Sequence, residues 1–380
     1  MIIKNNNTIN FAEPFIDKNL TLKYLKIALN KNFPGEGNLV KIFEKKISKL
    51  LKVKYVLTCT NGTSSIFLAL KSLGLKAGNE VLIPNITFQA TANAVRLTGA
   101  KPVLVDVLPD SLLMDPNDLL KKINKHSKAI IPVHVSGRGS NIRNILKIAK
   151  KKKLYLVEDA AEAFMSKFGK NYLGTYGDLG CYSFAPNKII TTGQGGIVVT
   201  NKRNIYESLI KLKDQGRNQK KDIRIEHQYL SEGFNFKFTN LQAALGISQL
   251  NTLQKRIKIL KNHYKFYQKY ILDKKNIKIF NFNLKKGELP LWVDIRLNNR
   301  VKLYKFLKNK KIFCRIFWKP LNLTLPYKQS FGNLRNSKKL QNKLMWLPSN
   351  LSMSSVDIKY VCDQINNFSK KNRNKLKNFR

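Results

Sequence analysis

Apolar residues recur along this chain with two different periods. Across residues 38–52, NLVKIFEKKISKLLK, they return at helical spacing with lysines between them, which predicts an amphipathic helix. The next stretch, YVLTCTNGTSSIFLALKSLGL, reads as a short apolar strand, a turn at Asn61-Gly62 and a helix. That helix opens on Thr63, Ser64 and Ser65, hydroxyl residues suited to capping an N-terminus. NEVLIPNITFQATANAVRLTGAKPVLVDV then gives strand, loop, helix and strand, and KAIIPVHV, KLYLVEDAA, CYSF and IVVT are further short apolar runs. Strands alternating with helices in this way predict an α/β fold whose mostly parallel sheet is covered on both faces. In such sheets ligands bind at the carboxyl ends of the strands.

From about Leu241 the texture changes. LQAALGISQLNTLQKRIKILKNHYKFYQKYI reads as one or two long helices, followed by the mixed segments LWVDIRL, RVKLYKFLKNKKIFCRIFW and KLMWLPSNL. The expectation is a large α/β domain over residues 1–250 and a smaller C-terminal α+β domain over 251–380, joined by the long helix. The N-terminal residues are free to pack on the small domain.

Bulk composition narrows the class. A chain of 380 residues, 43% hydrophobic and 24% charged, suits a soluble globular protein with a sizeable core. No run approaches the ~18 apolar residues of a membrane span, and the N-terminus lacks the apolar core of a secretion signal. Cys59, Cys181, Cys314 and Cys362 are far apart and in no metal spacing, so reduced thiols in a cytoplasmic, metal-free protein are expected. The formal net charge of +47 would attract polyanions at low salt. The lysines, however, are scattered and accompany many Asn, Ile and Phe residues, the signature of an AT-rich coding sequence. The terminal run SKKNRNKLKNFR has no nucleic-acid recognition pattern around it. It reads as the basic end of a surface helix or a frayed tail, and no specific nucleic-acid partner is expected.

The chemistry concentrates in a few positions. In LVEDAAEAF, Glu158 and Asp159 end an apolar strand. A carboxylate there is costly unless a cation or a proton meets it; capping a helix is the competing role for Asp159. Lys188 lies between the apolar run Leu179–Phe184 and the loop Gly193-Gln194-Gly195-Gly196. In a parallel sheet two strand ends can converge on one crevice, where a partly desolvated lysine becomes a nucleophile and base. Gly62, Thr63 and Ser64 open a helix whose free N–H groups favour an anion, and Ser183 adds a hydroxyl. An amine for a Schiff base, a carboxylate for a ring nitrogen and donors for a phosphate are what pyridoxal 5'-phosphate (PLP) requires.

With these positions in view, the chain resembles the DegT/DnrJ/EryC1/StrS sugar aminotransferases, a fold type I PLP family, from about residue 10 to 350. The segments that carry the resemblance are FEKKISKLLKVKYVLTCTNGTSSIFLAL, NEVLIPNITFQATANAV, GAKPVLVDV, VEDAAEAF, YSFAPNKIITTGQGGIVVTN and EGFNFKFTNLQAALGISQL, in this order. NKIITTGQGG and NFKFTNLQAALGISQL lean toward the perosamine-synthase-like branch, which aminates a GDP-linked 4-keto-6-deoxymannose.

The resemblance implies that Lys188 joins PLP as a Schiff base and shuttles the proton. It implies that Asp159 bonds the pyridinium nitrogen, that Gly62, Thr63, Ser64 and Ser183 hold the phosphate, and that Phe88 stacks on the ring. Glu162 stands near the ring hydroxyl, where the family often has Gln. Asn235 reaches the phosphate of the neighbouring subunit, which makes the active unit a homodimer with shared sites. The substrates implied are a nucleotide-linked keto sugar and an amino acid donor, glutamate, giving an amino sugar for surface polysaccharide.

The chain departs from the family at Gln194, where Glu is usual, at Gln215-Gly216, where His-Gly is expected, and at His134-Val135-Ser136-Gly137, where the third residue is usually Tyr or Phe. These departures bear on the substrate, so UDP- and dTDP-linked 3-keto or 4-keto sugars stay open. A non-catalytic PLP-fold regulator or a basic nucleic-acid binder is the alternative of a different class, and the intact Lys188, Asp159 and Ser183 weigh against it.

Overall fold

The computed structural model describes residues 8–30, 34–139, 141–218, 228–328 and 333–377. Helices α1 (Lys18–Asn30) and α2 (Asn38–Leu51) lead into alternating strands and helices. These are β1 (Tyr55–Cys59), α3 (Gly62–Ser72), β2 (Glu80–Pro84), α4 (Gln89–Leu97), β3 (Lys101–Val105), α5 (Pro116–Lys122), β4 (Ser127–Ile130), α6 (Ile142–Lys151) and β5 (Tyr155–Asp159). A hairpin of β6 (Lys167–Phe168) and β7 (Asn171–Tyr172) precedes β8 (Leu179–Ser183), β9 (Gly196–Thr200) and α7 (Arg203–Lys213).

Among the described residues the large sheet has seven strands in the order β1-β9-β8-β5-β4-β2-β3. Neighbours from β8 to β3 pair in parallel, and β9 runs antiparallel to both β8 and β1. Both faces are covered, which explains the unbroken apolar runs. Val56, Leu82 and Val103 belong to the core that holds α2 and α6 residues, whereas Leu57, Val81, Ile83 and Leu104 belong to the core under α3, α4 and α7.

The long helical stretch is two helices, α8 (Asn240–Leu250) and α9 (Leu253–Tyr270), broken at Asn251-Thr252. Thr239 and Gln242 form a capping box that starts α8. Beyond α9 come β10 (Lys278–Ile279), β11 (Val293–Arg296), α10 (Arg300–Asn309), β12 (Arg315–Ile316), α11 (Arg335–Leu340), β13 (Leu344–Leu347) and α12 (Ser355–Lys377). The small antiparallel sheet has the order β10-β11-β13-β12. One face of it packs on Tyr264 and Tyr267 of α9, Leu303 and Leu307 of α10, and Ile358, Val361 and Ile365 of α12. Ile9 pairs with Ile312 beside this sheet.

The two sheets share a core rather than meeting through a wet cleft. Trp292, Phe317, Leu344 and Trp346 lie in the same cluster as the large-sheet residues. Aromatic rings pack together here, with Phe317 and Trp346 at 4.0 Å and Trp292 and Phe11 at 4.7 Å between centroids. A buried ion pair, Arg138 with Asp294, crosses the same seam.

Candidate active site

Two adjacent carboxylates end β5, and strand geometry sends them to opposite faces. Glu158 is fully buried and saturated. Its Oε2 lies 2.7 Å from His134 Nε2 and accepts the Gly174 N–H at 2.8 Å, while Oε1 accepts the N–H groups of Tyr176 and Gly177 at 2.6 and 2.8 Å. Asp159 receives less: the Thr91 hydroxyl donates to Oδ2 at 2.7 Å and the Ala161 N–H to Oδ1 at 3.1 Å. Burial pushes its carboxyl above the usual range, and the Thr91 and Ala161 hydrogen bonds and the charge of Lys188 only partly offset this. No helix follows Asp159 directly, so the helix-cap role does not apply.

Asp159 faces a cavity of about 230 Å³. Lys188 lines it, with its side chain 13% exposed and Nζ 3.7 Å from Glu162 Oε1. Glu162 is itself fixed: the Ser136 N–H donates to Oε2 at 2.8 Å and the Trp292 indole N–H to Oε1 at 3.2 Å. The Ser136 hydroxyl in turn donates to Asp294 at 2.7 Å and accepts from the Trp346 indole at 3.1 Å. The small residue at the third position of His134-Val135-Ser136-Gly137 therefore ties the cavity wall to the seam between the sheets.

The N-terminus of α3 also lines the cavity. Here the structure corrects the hydroxyl-cap expectation, because Asn61 takes the cap position. Its Oδ1 accepts both the N–H and the hydroxyl of Ser64, at 2.9 and 3.1 Å. Asn61 thereby engages the Ser64 N–H and hydroxyl, the hydroxyl also lies 2.9 Å from Thr60 Oγ1, and Ser64 is not among the residues that line the cavity. Gly62 and Thr63 do line the cavity, and as the first helical residues they have no preceding turn to donate to. A Cβ at Gly62 would come 2.9 Å from Ser183 Cβ, and one at Gly196 would come 2.3 Å from the Asn61 carbonyl. Both glycines thus permit β8, β9 and the α3 N-terminus to close together.

The cavity gathers Lys188, Asp159, Glu162, Gly62, Thr63, Phe88 and Ser183 of the expected residues. Asn235 lies outside it, exposed, in an isolated bridge with Asp214. Gln194, singled out above as a departure that bears on the substrate, lines it too, and so do Asn61, Thr87, Asn187, Arg315 and Trp318, which were not anticipated. Thr87 and Thr91 share a hydrogen bond of 2.9 Å, so a two-threonine chain leads to Asp159. Their spacing of four residues was the one signal available. Arg315 and Trp318 come from the far end of the chain and carry no local motif.

These residues fit PLP. A desolvated carboxylate short of a cation answers a pyridinium nitrogen, and the free helix N-terminus with Ser183 answers a phosphate.

The family model described as the DegT/DnrJ/EryC1/StrS aminotransferase family matches residues 16–366. The chain belongs to that family. Its chemistry is PLP-dependent transamination, and its relatives include sugar-nucleotide aminotransferases. The chain is 33% identical to the GDP-perosamine synthase of Escherichia coli O157:H7 over 341 residues, covering 88% of this chain and 91% of that protein. It is 31% identical to the dTDP-4-amino-4,6-dideoxy-D-glucose transaminase of Shigella dysenteriae over 363 residues, covering 90% and 94%. The crystal structure of a DegT/DnrJ/EryC1/StrS aminotransferase from Brucella abortus superposes with a TM-score of 0.87 at 28% identity, covering 92% of this chain and 95% of that one. Among the described residues no helix is long and apolar enough to cross a membrane, and no group of His, Cys, Asp and Glu is arranged to hold a metal.

Proposed function

We propose that this aminotransferase moves an amino group from glutamate to the keto carbon of a GDP-linked 4-keto-6-deoxymannose, making an amino sugar for surface polysaccharide. The observation that carries this reading is the loop after β8. NKIITTGQGG, which leans toward the perosamine-synthase-like branch, contributes Asn187, Lys188 and Gln194 to the cavity wall. Arg315 adds an exposed cation to that wall, held over the rings of Phe11 and Trp346. Among the described residues it has no carboxylate partner, and a sugar-nucleotide diphosphate or a donor carboxylate would supply one.

When bound, PLP supplies the electron sink for the amino acid α-carbon. Asp159, oriented by Thr91, keeps the proton on the ring nitrogen. Gly62, Thr63 and Ser183 hold the phosphate, and Phe88 offers an aromatic face to the ring. Lys188 Nζ takes the donor's α proton and, in the second half of the cycle, delivers a proton to the sugar carbon. Glu162, fixed by Ser136 and Trp292, anchors that amine within 3.7 Å. Asn235 completes the phosphate site of a neighbouring subunit, so the active unit is a homodimer.

The test is product analysis by mass spectrometry. PLP-loaded protein is incubated with glutamate and, in separate reactions, GDP-, dTDP- and UDP-linked 4-keto-6-deoxy sugars. Preferential amination of the GDP sugar is expected. Preference for the dTDP sugar would overturn the nucleotide assignment in favour of the second reading, which the Shigella relative supports. If no sugar is aminated and the yellow protein does not bleach with glutamate, a non-catalytic PLP-fold regulator is the better account.

A further inference from the structure

Lys188 sits on a loop that no strand holds. β8 ends at Ser183, and the Lys188 N–H reaches only the Ala185 carbonyl, in a turn, at 3.0 Å. The backbone just beyond Lys188 is tied back to the end of β8, where the Thr192 N–H and the Thr191 hydroxyl donate to the Phe184 carbonyl at 3.1 and 2.9 Å, and it is gripped from the other side by α8 and α9. Gln249, buried, grips Thr191 from both sides: the Thr191 N–H donates to Oε1 at 3.0 Å, and Nε2 donates to the Thr191 carbonyl at 2.8 Å. Arg256 is 1% exposed and takes the residue next to the lysine. Its Nη1 donates to the Ile189 carbonyl at 3.1 Å, its Nη2 to the Phe15 carbonyl at 2.7 Å, and its Nε to the Thr252 hydroxyl at 2.9 Å. The guanidinium lies 5.2 Å from the centre of the Phe15 ring.

Among the described residues no carboxylate pairs with Arg256. Burial lowers its pKa to about 10, which still leaves it cationic at neutral pH. Burying a charge without a counter-ion is expensive. The planar fork, with several donors at fixed angles, does what a lysine cannot: it bridges two separate backbone segments at once.

We propose that Arg256 is a positioning residue for Lys188, locking the loop that carries the amine to the N-terminal segment and to α9, with Gln249 as its partner in the clamp. Proton transfer by Lys188 depends on Nζ standing correctly relative to Glu162 and the cofactor. A loosened loop should lower turnover by roughly 10- to 100-fold without a matching change in substrate affinity.

The test uses PLP-loaded Arg256→Met, Arg256→Lys and Gln249→Leu. The deciding readout is the pH midpoint of the visible absorption of the bound cofactor, which senses the environment of the Lys188 nitrogen and needs no sugar substrate. The expected result is a shifted midpoint in all three variants, together with a fall in kcat and a KM for glutamate within about threefold of the parent. Arg256→Lys, which keeps the charge but not the fork, should recover thermal stability more fully than it recovers the midpoint. It also decides the matter if Arg256→Met does not fold. An unchanged midpoint in Arg256→Lys and Gln249→Leu overturns the proposal, whatever happens to stability. The proposal rests on Lys188 being the cofactor lysine. If that reading fails, the parent protein itself will show no pH-dependent visible band, which distinguishes the two failures.

Discussion

Two buried carboxylates stand side by side at the end of β5, and the protein treats them in opposite ways. Glu158 meets a histidine and three backbone N–H groups, and its demand for donors is fully met from within the chain. Asp159 meets one hydroxyl and one N–H, faces a cavity, and is pushed toward its neutral form by burial. The difference teaches what separates a structural acid from a functional one. Burial is common to both, while Asp159 alone has a demand that a cationic ligand would answer. Lys188 belongs with Asp159 in this respect: it lines the same cavity, and among the described residues its one ion pair is with Glu162, at 3.7 Å.

The most severe test of the open side is Lys188→Ala. The backbone of the loop is held by Gln249 and Arg256, not by the lysine side chain, so the fold should persist. Turnover should fall by several orders of magnitude, because both the amine that joins the cofactor and the proton carrier are gone. Steady-state kinetics with circular dichroism checks this, and near-normal turnover would remove Lys188 from the site.

Asp159→Asn should cost at least ~100-fold in rate, about 2.7 kcal/mol in barrier terms, since a neutral amide no longer stabilises a protonated ring nitrogen. In apo-protein the same change should stabilise. The folded-state pKa of Asp159 is raised, so the native state holds the proton more tightly than the unfolded chain does. Stability contributed by this group is therefore present at low pH and is lost as pH rises from the ordinary carboxylate value through the raised one. Asparagine does not titrate, so the advantage of the variant should open with rising pH and then level off. PLP added to the parent should narrow it. Thermal melts of both apo-proteins across that window decide the point, and a constant gap would show that Asp159 is not the titrating group.

Glu158→Gln examines the closed side. It places an amide NH₂ where the Gly174 N–H now donates, leaving a buried donor unpaired at a cost of about 1–3 kcal/mol. Denaturant unfolding should register that loss while kcat/KM of the folded enzyme stays within about twofold. If activity collapsed and stability did not, the contrast between the two acids would be wrong.

Much of this was legible because period and motif coincide. Short apolar runs separated by helices foretold the layered sheet, and Lys188, Asp159, Gly62, Thr63, Phe88 and Ser183 each follow or end a strand, so topology alone draws them together. The rest depended on distance in sequence. Arg315 and Trp318 reach the cavity only because the small sheet shares a core with the large one. The helix cap was hidden for a local reason: an asparagine one residue before the helix outcompetes the hydroxyls for it and takes the N–H and hydroxyl of Ser64. Arg256 and Gln249 read simply as polar positions on a long helix, and nothing in its spacing says that they face Ile189 and Thr191.

The smallest effect concerns Asn235, which belongs to neither side of the comparison within one chain. It is exposed, outside the cavity, and forms an isolated bridge with Asp214. If it completes a neighbour's phosphate site, PLP bridges two subunits, and a ligand that binds the assembly stabilises it by mass action. The net charge of +47 opposes assembly by repulsion, and salt screens that repulsion. Apo-protein should therefore dissociate most readily at low salt, and PLP should counter this. Asn235→Ala should blunt the response to PLP by a few-fold in dimer dissociation constant, a loss of about 0.5–1.5 kcal/mol expected for one hydrogen bond, and leave the response to salt intact. Sedimentation velocity of apo and PLP-loaded protein at two salt concentrations separates the two responses. A fully active monomer, or a dimer indifferent to PLP, would show that each chain completes its own site and that the open side of β5 needs no neighbour.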